Sequence, residues 1–92
     1  MRKPWFLYLI ECADCNIYTG IAVDVAARYA AHLAGTGARY TRAHRPQKLL
    51  AVVEFPTQSS ALQAEYRIKQ MTAREKREFA RGTKSRRAPS RR

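Results

Sequence analysis

The sequence predicts an α+β domain: a three-stranded, mostly antiparallel sheet flanked by helices, in the order β-β-α-β-α-α. Two segments rich in aromatic and branched residues, 5–12 and 16–23, are joined by a short segment, which is typical of a β-hairpin. A third such segment, 48–55, predicts the third strand. Helical spacing and helix-start signals account for the other regular segments. With 92 residues the chain has apolar surface for one core, so we expect a single domain.

The first helix follows the hairpin. Asp24 is a good N-cap residue, because its carboxylate accepts hydrogen bonds from free backbone N–H groups. Val25, Tyr29 and Leu33 then recur every four residues and form one apolar face. Gly35 supplies the left-handed residue that ends a helix. These signals predict a helix from about residue 25 to 34.

The segment between this helix and the third strand, residues 36–47, is basic and is expected to be irregular. The third strand is nearly all apolar, which favours a central or well-covered place in the sheet. Pro56 closes this strand because proline cannot donate to a strand ladder.

Two capping-box patterns predict the last helices. Residues 60–63 read Ser-Ala-Leu-Gln and residues 72–75 read Thr-Ala-Arg-Glu, so in each the first and fourth side chains satisfy one another's backbone donors. We therefore expect helices at about residues 61–71 and 73–80.

Charge is the strongest compositional signal: 18 Lys and Arg against 7 Asp and Glu give a formal net charge of +11. We expect a folded domain over residues 1–81 and a disordered basic tail over residues 82–92. Such a charge suits a polyanion, so nucleic acid is the expected partner, the alternative being a tail that only aids solubility. The positive charges near the end, where acids are absent, are Arg81, Lys84, Arg86, Arg87, Arg91 and Arg92.

A membrane role is not supported. The longest apolar runs are too short to cross a bilayer, and a basic amphipathic helix with bulky apolar anchors is not visible. Pro4 and Glu11 interrupt any signal-peptide core, so we expect a cytoplasmic protein.

Glu65 is the first candidate catalytic residue, because it falls inside the apolar stripe of its predicted helix. A carboxylate drawn toward a core needs a cation or hydrogen-bond donors to compensate its desolvation. The alternative is a Glu at the edge of the stripe that pairs with Lys69 at i+4. Position alone leaves both interpretations open.

Arg28 and His32 lie four residues apart and share one face of the first helix. Tyr8 and Tyr18 lie in the two strands of the hairpin, where cross-strand pairing can bring both hydroxyls to one face. Each pair alone has a simpler interpretation. The first is explained by a solvated Arg and a partly buried His, and the second by two tyrosines of the core. The combination of Tyr, Arg, His and Glu is what indicates a site.

The order and spacing of these residues resemble the GIY-YIG nuclease domain over residues 5 to about 80. The chain is similar in particular to small stand-alone members of that family, which share the stretch read here as Arg-Tyr-Thr-Arg at residues 39–42. The matching positions are Leu7-Tyr8, Tyr18-Thr19-Gly20, Arg28, His32 and Glu65.

The resemblance implies hydrolysis of a phosphodiester bond with Mg²⁺ or Mn²⁺, and no small-molecule cofactor. It assigns Tyr8 to take a proton from the attacking water and Tyr18 to arrange or share that proton. It assigns Arg28 to neutralise the scissile phosphate, and His32 to a position that holds His or Tyr in the family. Glu65 would be the sole protein ligand of the metal, and one carboxylate suffices for Mg²⁺ because this ion keeps several waters.

Two positions depart from the family pattern: Phe6 stands where the first motif has glycine, and Ile21 where a lysine often follows the second motif. Ile21 removes a cation from the neighbourhood of the phosphate. The resemblance implies an endonuclease acting on DNA, structure-selective and used in repair or recombination, with RNA as another substrate. The alternatives are a nucleic-acid-binding module of the same fold without turnover, and a basic accessory protein of a ribonucleoprotein.

Contacts to nucleic acid are expected from the basic segment before and at the third strand, together with one lysine of the helix that carries Glu65. The alternative is a solvated loop with Tyr40 tucked into the core. The residues concerned are Arg39, Tyr40, Arg42, His44, Arg45, Lys48 and Lys69.

Cys12 and Cys15 form a Cys-x-x-Cys pair in the hairpin turn. A zinc site needs four ligands, and a redox pair of this kind sits at a helix start, so we expect neither function here.

Overall fold

The computed structural model describes residues 3–86, with side chains up to residue 83. It confirms a three-stranded antiparallel sheet flanked by helices. The elements are β1 (Trp5–Cys12), β2 (Ile17–Ala22), α1 (Val25–Ala34), α2 (Arg39–Ala43), β3 (Pro46–Phe55), α3 (Gln58–Lys69) and α4 (Ala73–Arg86).

The sheet has the order β2-β1-β3, and β1 is antiparallel to both neighbours. The predicted hairpin is confirmed: the Cys15 amide donates to the Cys12 carbonyl at 2.9 Å and closes the turn. Cys15 takes a left-handed φ of 72°, which gives the turn its reversal. Tyr8 of β1 lies directly opposite Gly20 of β2 and Val52 of β3.

The third strand is an edge strand, so the expectation of a central place for it is wrong. It begins at Pro46, and its residues Leu49 and Val52 are 37% and 40% exposed. The centre belongs to β1, where Leu7 and Leu9 are fully buried. An apolar run indicates burial of side chains, but the neighbours of a strand are decided by pairing between distant segments.

Helices cover both faces of the sheet. On one face, α3 and α4 pack on β1 and β2 side chains that include Leu7, Leu9 and Ile17. On the other face, α1 covers a second cluster built around Tyr8 and Ile10. The face that carries Tyr8 is therefore the face that α1 closes.

The first helix begins and ends as predicted. The Asp24 carboxylate accepts from the Ala27 amide at 3.0 Å, and Gly35 ends α1 in the left-handed conformation with φ 83°. The following segment was expected to be irregular, but residues Arg39–Ala43 form the short helix α2. This helix is stabilised by contacts with α1 and β2 rather than by a cap, because Ala38 offers no side-chain acceptor.

The start of α3 differs from the prediction by one turn. The capping box is formed by Thr57 and Ser60, each side chain accepting from the other's amide, at 3.1 and 3.3 Å. The second box is confirmed, since Thr72 and Glu75 bond reciprocally at 3.1 and 2.8 Å.

The last helix is longer than expected. It continues to Arg86, so residues 82–86 are helical where the sequence predicted the start of a disordered tail. The remainder of that predicted tail, residues 87–92, lies outside the described residues. Within the described part of the chain, none of the helices is long and apolar enough to cross a membrane.

Candidate active site

Tyr8 forms the centre of the candidate site. It lies on the central strand, is 1% exposed, and directs its ring across Gly20 of the neighbouring strand. A Cβ atom at position 20 would lie 2.6 Å from the Tyr8 hydroxyl oxygen and 2.7 Å from Cζ. Position 20 therefore has to be glycine, because the Tyr8 ring lies too close to its backbone for any side chain.

His32 of α1 lies against the Tyr8 hydroxyl, with Nε2 at 3.0 Å. The imidazole is 1% exposed and packs edge-on to the Tyr18 ring at a centroid distance of 5.1 Å. Burial, and secondly the charge of Arg28, lower the pKa of His32 below its usual value near 6.5. His32 is therefore neutral at physiological pH and is able to accept a proton at one ring nitrogen.

Both tyrosines are neutral phenols. Burial raises the pKa of Tyr8, and the neighbouring Tyr18 and Glu65 add to this, while Arg28 acts in the opposite direction. Burial also raises the pKa of Tyr18, with Arg28 again opposing and Glu65 adding to the shift. Tyr18 is only half-buried, so it is the tyrosine nearer to solvent.

Arg28 is exposed on α1, one turn before His32. Its guanidinium is near enough to the Tyr8 hydroxyl to favour the ionised form of that group. An exposed guanidinium beside two phenols is well placed to receive a phosphate group from solvent.

Glu65 is carried by α3, the helix that packs on β2 from the other side of the sheet. Its side chain is 17% exposed, and Lys69 lies 3.5 Å from Oε2 in an i+4 pair. The same carboxylate raises the pKa of Tyr8 and Tyr18 through space. The structure therefore shows the pair with Lys69, and the charge of Glu65 also contributes to the raised pKa of the two tyrosines.

The basic segment adjoins this site through an aromatic row. Tyr40 is 37% exposed, not tucked into the core; it stacks on His44 at 4.2 Å and lies 5.7 Å from Tyr18 between ring centroids. His44 contacts the Asp14 carboxylate in the hairpin turn and lowers its pKa. Exposed basic residues beside this row are Arg39, Arg42 and Arg45, whereas Lys48 lies on β3 opposite Glu11 and Lys69 lies on α3.

Two residues near His32 were not found by sequence reasoning. Thr41 is 2% exposed, and its hydroxyl lies 2.7 Å from His32 Nδ1. Gly37 approaches the same ring so closely that a Cβ atom there would lie 2.4 Å from Nδ1. Thr41 lies in the Arg-Tyr-Thr-Arg stretch and Gly37 in the α1–α2 connection, but their contacts with His32 exist only after this connection has folded over the ring.

Comparison with known proteins decides the family. The GIY-YIG catalytic domain matches residues 4–78 of this chain. The chain belongs to the GIY-YIG family. A UPF0213 protein of Cupriavidus necator is 51% identical over 77 residues, which cover 84% of each chain. The UPF0213 protein YhbQ of Escherichia coli is 48% identical over 73 residues, covering 79% of this chain and 73% of YhbQ.

Two solved structures have a similar fold. The solution structure of a UPF0213 protein of Bacillus halodurans matches with a TM-score of 0.52 at 37% identity, covering 83% of this chain and 81% of that one. The solution structure of an E. faecalis protein matches with a TM-score of 0.67 at 28% identity, covering 99% and 97%.

GIY-YIG domains have a nuclease fold, and the family's nucleases are generally dependent on a divalent metal. Among residues 3–86, acidic, histidine and cysteine side chains do not gather in groups of three or more that could hold a metal. A lone, partly buried carboxylate such as Glu65 fits Mg²⁺ or Mn²⁺, which keep waters and take oxygens from a phosphate, and does not fit a structural zinc site. Cys12 and Cys15 are free thiols, the first buried and the second exposed.

Proposed function

We propose that the protein is a divalent-metal-dependent endonuclease that hydrolyses phosphodiester bonds in DNA. The observation that carries this proposal is the environment of one atom, the Tyr8 hydroxyl oxygen. It is hydrogen-bonded to His32, and its pKa responds to Tyr18, Arg28 and Glu65. His32 and Tyr18, to which the family resemblance assigns chemistry, contact Tyr8, and the charges of Arg28 and Glu65 influence the pKa of Tyr8.

The chain's own residues supply proton transfer and charge. Tyr8 is neutral at rest, so it accepts a proton from water only after passing its own proton to a neighbour, and His32 is neutral and hydrogen-bonded to it. Tyr18 lies on the solvent side of this pair and orients the water. Arg28 neutralises the phosphate as charge develops on its oxygens.

Glu65 would hold the metal together with water and phosphate oxygens. The bound ion supplies charge stabilisation and lowers the pKa of a coordinated water. Lys69 holds the carboxylate in position and balances its charge while the ion is absent.

Tyr40 and the arginines beside it are the proposed nucleic-acid surface. The aromatic row from Tyr18 to His44 connects this surface to the reacting groups, so a strand lying on the arginines passes over Tyr18. RNA, which presents the same phosphates, is a second substrate to test.

The experiment is a cleavage assay with supercoiled DNA, branched DNA and RNA in Mg²⁺, Mn²⁺ or EDTA. We expect metal-dependent cutting by the wild-type protein, and a rate lower by about 100-fold or more in Glu65→Gln and in Arg28→Ala, because each removes charge stabilisation at the phosphate. Matched controls are Glu78→Gln and Arg74→Ala, since these residues form an exposed pair, 3.8 Å apart, on α4, a helix that carries none of the five proposed catalytic residues.

Cutting that survives Glu65→Gln, or that is lost equally in the two controls, contradicts the proposed site. Binding by all variants without cutting by any supports the alternative function, a nucleic-acid-binding module of the same fold. That alternative is favoured by the burial of Tyr8 and by Ile21, which leaves the second motif without a following cation.

A further inference from the structure

The connection between α1 and α2 folds back over His32 and brings a buried hydroxyl to its second ring nitrogen. Thr41 Oγ1 lies 2.7 Å from Nδ1 and also 3.0 Å from the Ala38 carbonyl oxygen. Thr41 is 2% exposed, so water does not replace these partners. The proposed reaction as stated above gives Thr41 no part.

The partners of Thr41 determine where the protons lie. A threonine hydroxyl has one proton, and the Ala38 carbonyl is an acceptor that needs it. When the hydroxyl donates to this carbonyl, the proton in the 2.7 Å contact comes from Nδ1 of His32. The other ring nitrogen, Nε2, is left with its lone pair toward the Tyr8 hydroxyl at 3.0 Å.

The opposite tautomer of His32, with the proton on Nε2, is less favourable. If Thr41 gave its proton to Nδ1, the Ala38 carbonyl would lose this donor and Nε2–H would point at the Tyr8 oxygen. The Ala38 amide would keep its bond to Nδ1, which the Nδ1–H tautomer gives up, but at 3.4 Å this bond is long. On this side of the ring, the Nδ1–H tautomer has hydrogen bonds of 2.7 and 3.0 Å. The Nε2–H tautomer has one of 2.7 Å and one of 3.4 Å.

We propose that Thr41 is a positioning residue that holds His32 in the Nδ1–H tautomer, so that Nε2 accepts the Tyr8 proton. The tautomer itself follows from the contacts of Thr41, whereas its use in catalysis rests on the proposed function. Tyr8 then donates to His32, which leaves its oxygen free to accept from Arg28 and from the attacking water.

The proposed proton transfers balance. The O–H bond of Tyr8 breaks and an Nε2–H bond forms, which gives a phenolate and an imidazolium. The Nδ1–H group of this imidazolium keeps its hydrogen bond to the Thr41 hydroxyl oxygen. As the water oxygen bonds to phosphorus, one of its protons restores the Tyr8 phenol. The imidazolium then returns its Nε2 proton to the Tyr8 oxygen as the hydroxyl proton of Tyr8 passes outward to solvent, and the leaving oxygen takes a proton from solvent.

Gly37 makes this arrangement possible. A Cβ atom there would lie 2.4 Å from Nδ1 and 3.0 Å from the His32 Cα, so the chain passes over the imidazole at a distance that a side chain forbids. The Tyr18 ring fixes the imidazole from another direction, at 5.1 Å. The ring is therefore held by contacts on several sides, and Thr41 decides which nitrogen carries the proton.

The tautomer is measured directly by ¹⁵N NMR of the histidine rings at pH 7.5, with His44→Gln used to assign the two histidines. We expect the wild-type protein to have a protonated Nδ1 and an unprotonated Nε2 on His32. Thr41→Ser keeps the hydroxyl and should keep this pattern, whereas Thr41→Val has nearly the same shape without an acceptor and should shift His32 toward Nε2–H. A wild-type His32 with Nε2–H overturns the proposal, and so does an unchanged tautomer in Thr41→Val.

Kinetics provide the second readout. We expect Thr41→Val to lower kcat for DNA cleavage by about 10- to 100-fold, the range typical of a residue that orients another, with KM unchanged. Thr41→Ser should recover most of the rate. Equal kcat in wild type and Thr41→Val contradicts the catalytic role.

If the wild-type protein cuts no substrate, the proposed function fails while the tautomer result still stands, so the two failures are distinguishable. Thermal unfolding of each variant shows whether it is folded. Should Thr41→Val not fold, the wild-type tautomer alone decides the structural part of the proposal, and Thr41→Ser decides whether the hydroxyl is sufficient.

Discussion

A single imidazole takes part in most of the site's contacts. His32 touches Tyr8 through one nitrogen and Thr41 through the other, and Gly37 lies on its ring. The five proposed catalytic positions came from the order and spacing of residues that resemble the GIY-YIG domain, because single positions such as Glu65 left more than one interpretation open. Thr41 and Gly37 were not predicted, because a hydroxyl and a missing side chain become meaningful only after the α1–α2 connection has folded over His32.

The lowered pKa of His32 predicts a pH dependence of stability. The folded state binds this proton less readily than the unfolded state, whose His titrates at about 6.5. The free energy of unfolding should therefore be level above that pH and fall as the pH drops from 6.5 toward the lower pKa of the folded state. Urea denaturation from pH 8 to pH 5 measures this fall.

The control for this prediction is the second histidine. His32→Gln should remove the fall between pH 6.5 and 5, whereas His44→Gln, at a half-buried position, should retain it. A wild-type protein whose stability is unchanged or increases on acidification would show that His32 is charged in the folded state.

Among the elements, those set by local signals were predicted best. The hairpin and the caps of α1 and α4 depend on residues within a few positions of one another. The edge position of β3 and the existence of α2 depend on contacts with distant strands and helices, so the composition of these segments was misleading. The start of α3 was misplaced because Ser60 suits two positions: it is a good N-cap by type, but in the structure it is the N3 partner of Thr57.

This correction predicts which hydroxyl stabilises α3. Thr57→Ala leaves the Ser60 amide without its acceptor and should lower the free energy of unfolding by about 1 kcal/mol. Ser59→Ala, at the exposed neighbouring position, should change it little. Chemical denaturation of the two variants makes the comparison, and a larger loss for Ser59→Ala would contradict the cap.

At the scale of the whole molecule, charge and site lie together. The net charge is +11, and the exposed arginines of α2 lie beside the aromatic row that leads to Tyr18. The basic composition predicted a polyanion as partner but did not predict that the arginines of α2 would lie near Tyr18, because the position of α2 over the hairpin is a tertiary contact.

The basic C-terminal residues predict a dependence of DNA binding on salt. Ending the chain after Arg86 removes Arg87, Arg91 and Arg92. The slope of log K against log salt concentration should become shallower by ~0.9 for each of these arginines that contacts a phosphate, with cleavage at saturating DNA unchanged. Filter binding or fluorescence anisotropy at several salt concentrations measures the slope. Replacing the same arginines by Gln in the full chain should give the same result, and an unchanged slope in both would exclude contacts from this segment.

The central position of β1 has a further consequence, for motion. A strand bonded along both edges is among the last parts of a small domain to open, whereas edge strands and helix ends exchange their amide hydrogens sooner. We therefore expect Tyr8 to lie on backbone that opens late, and Arg28, Tyr18 and Tyr40 to lie on elements whose amides exchange sooner. In the proposed function, a bound nucleic-acid strand would contact these more adaptable elements around a fixed Tyr8.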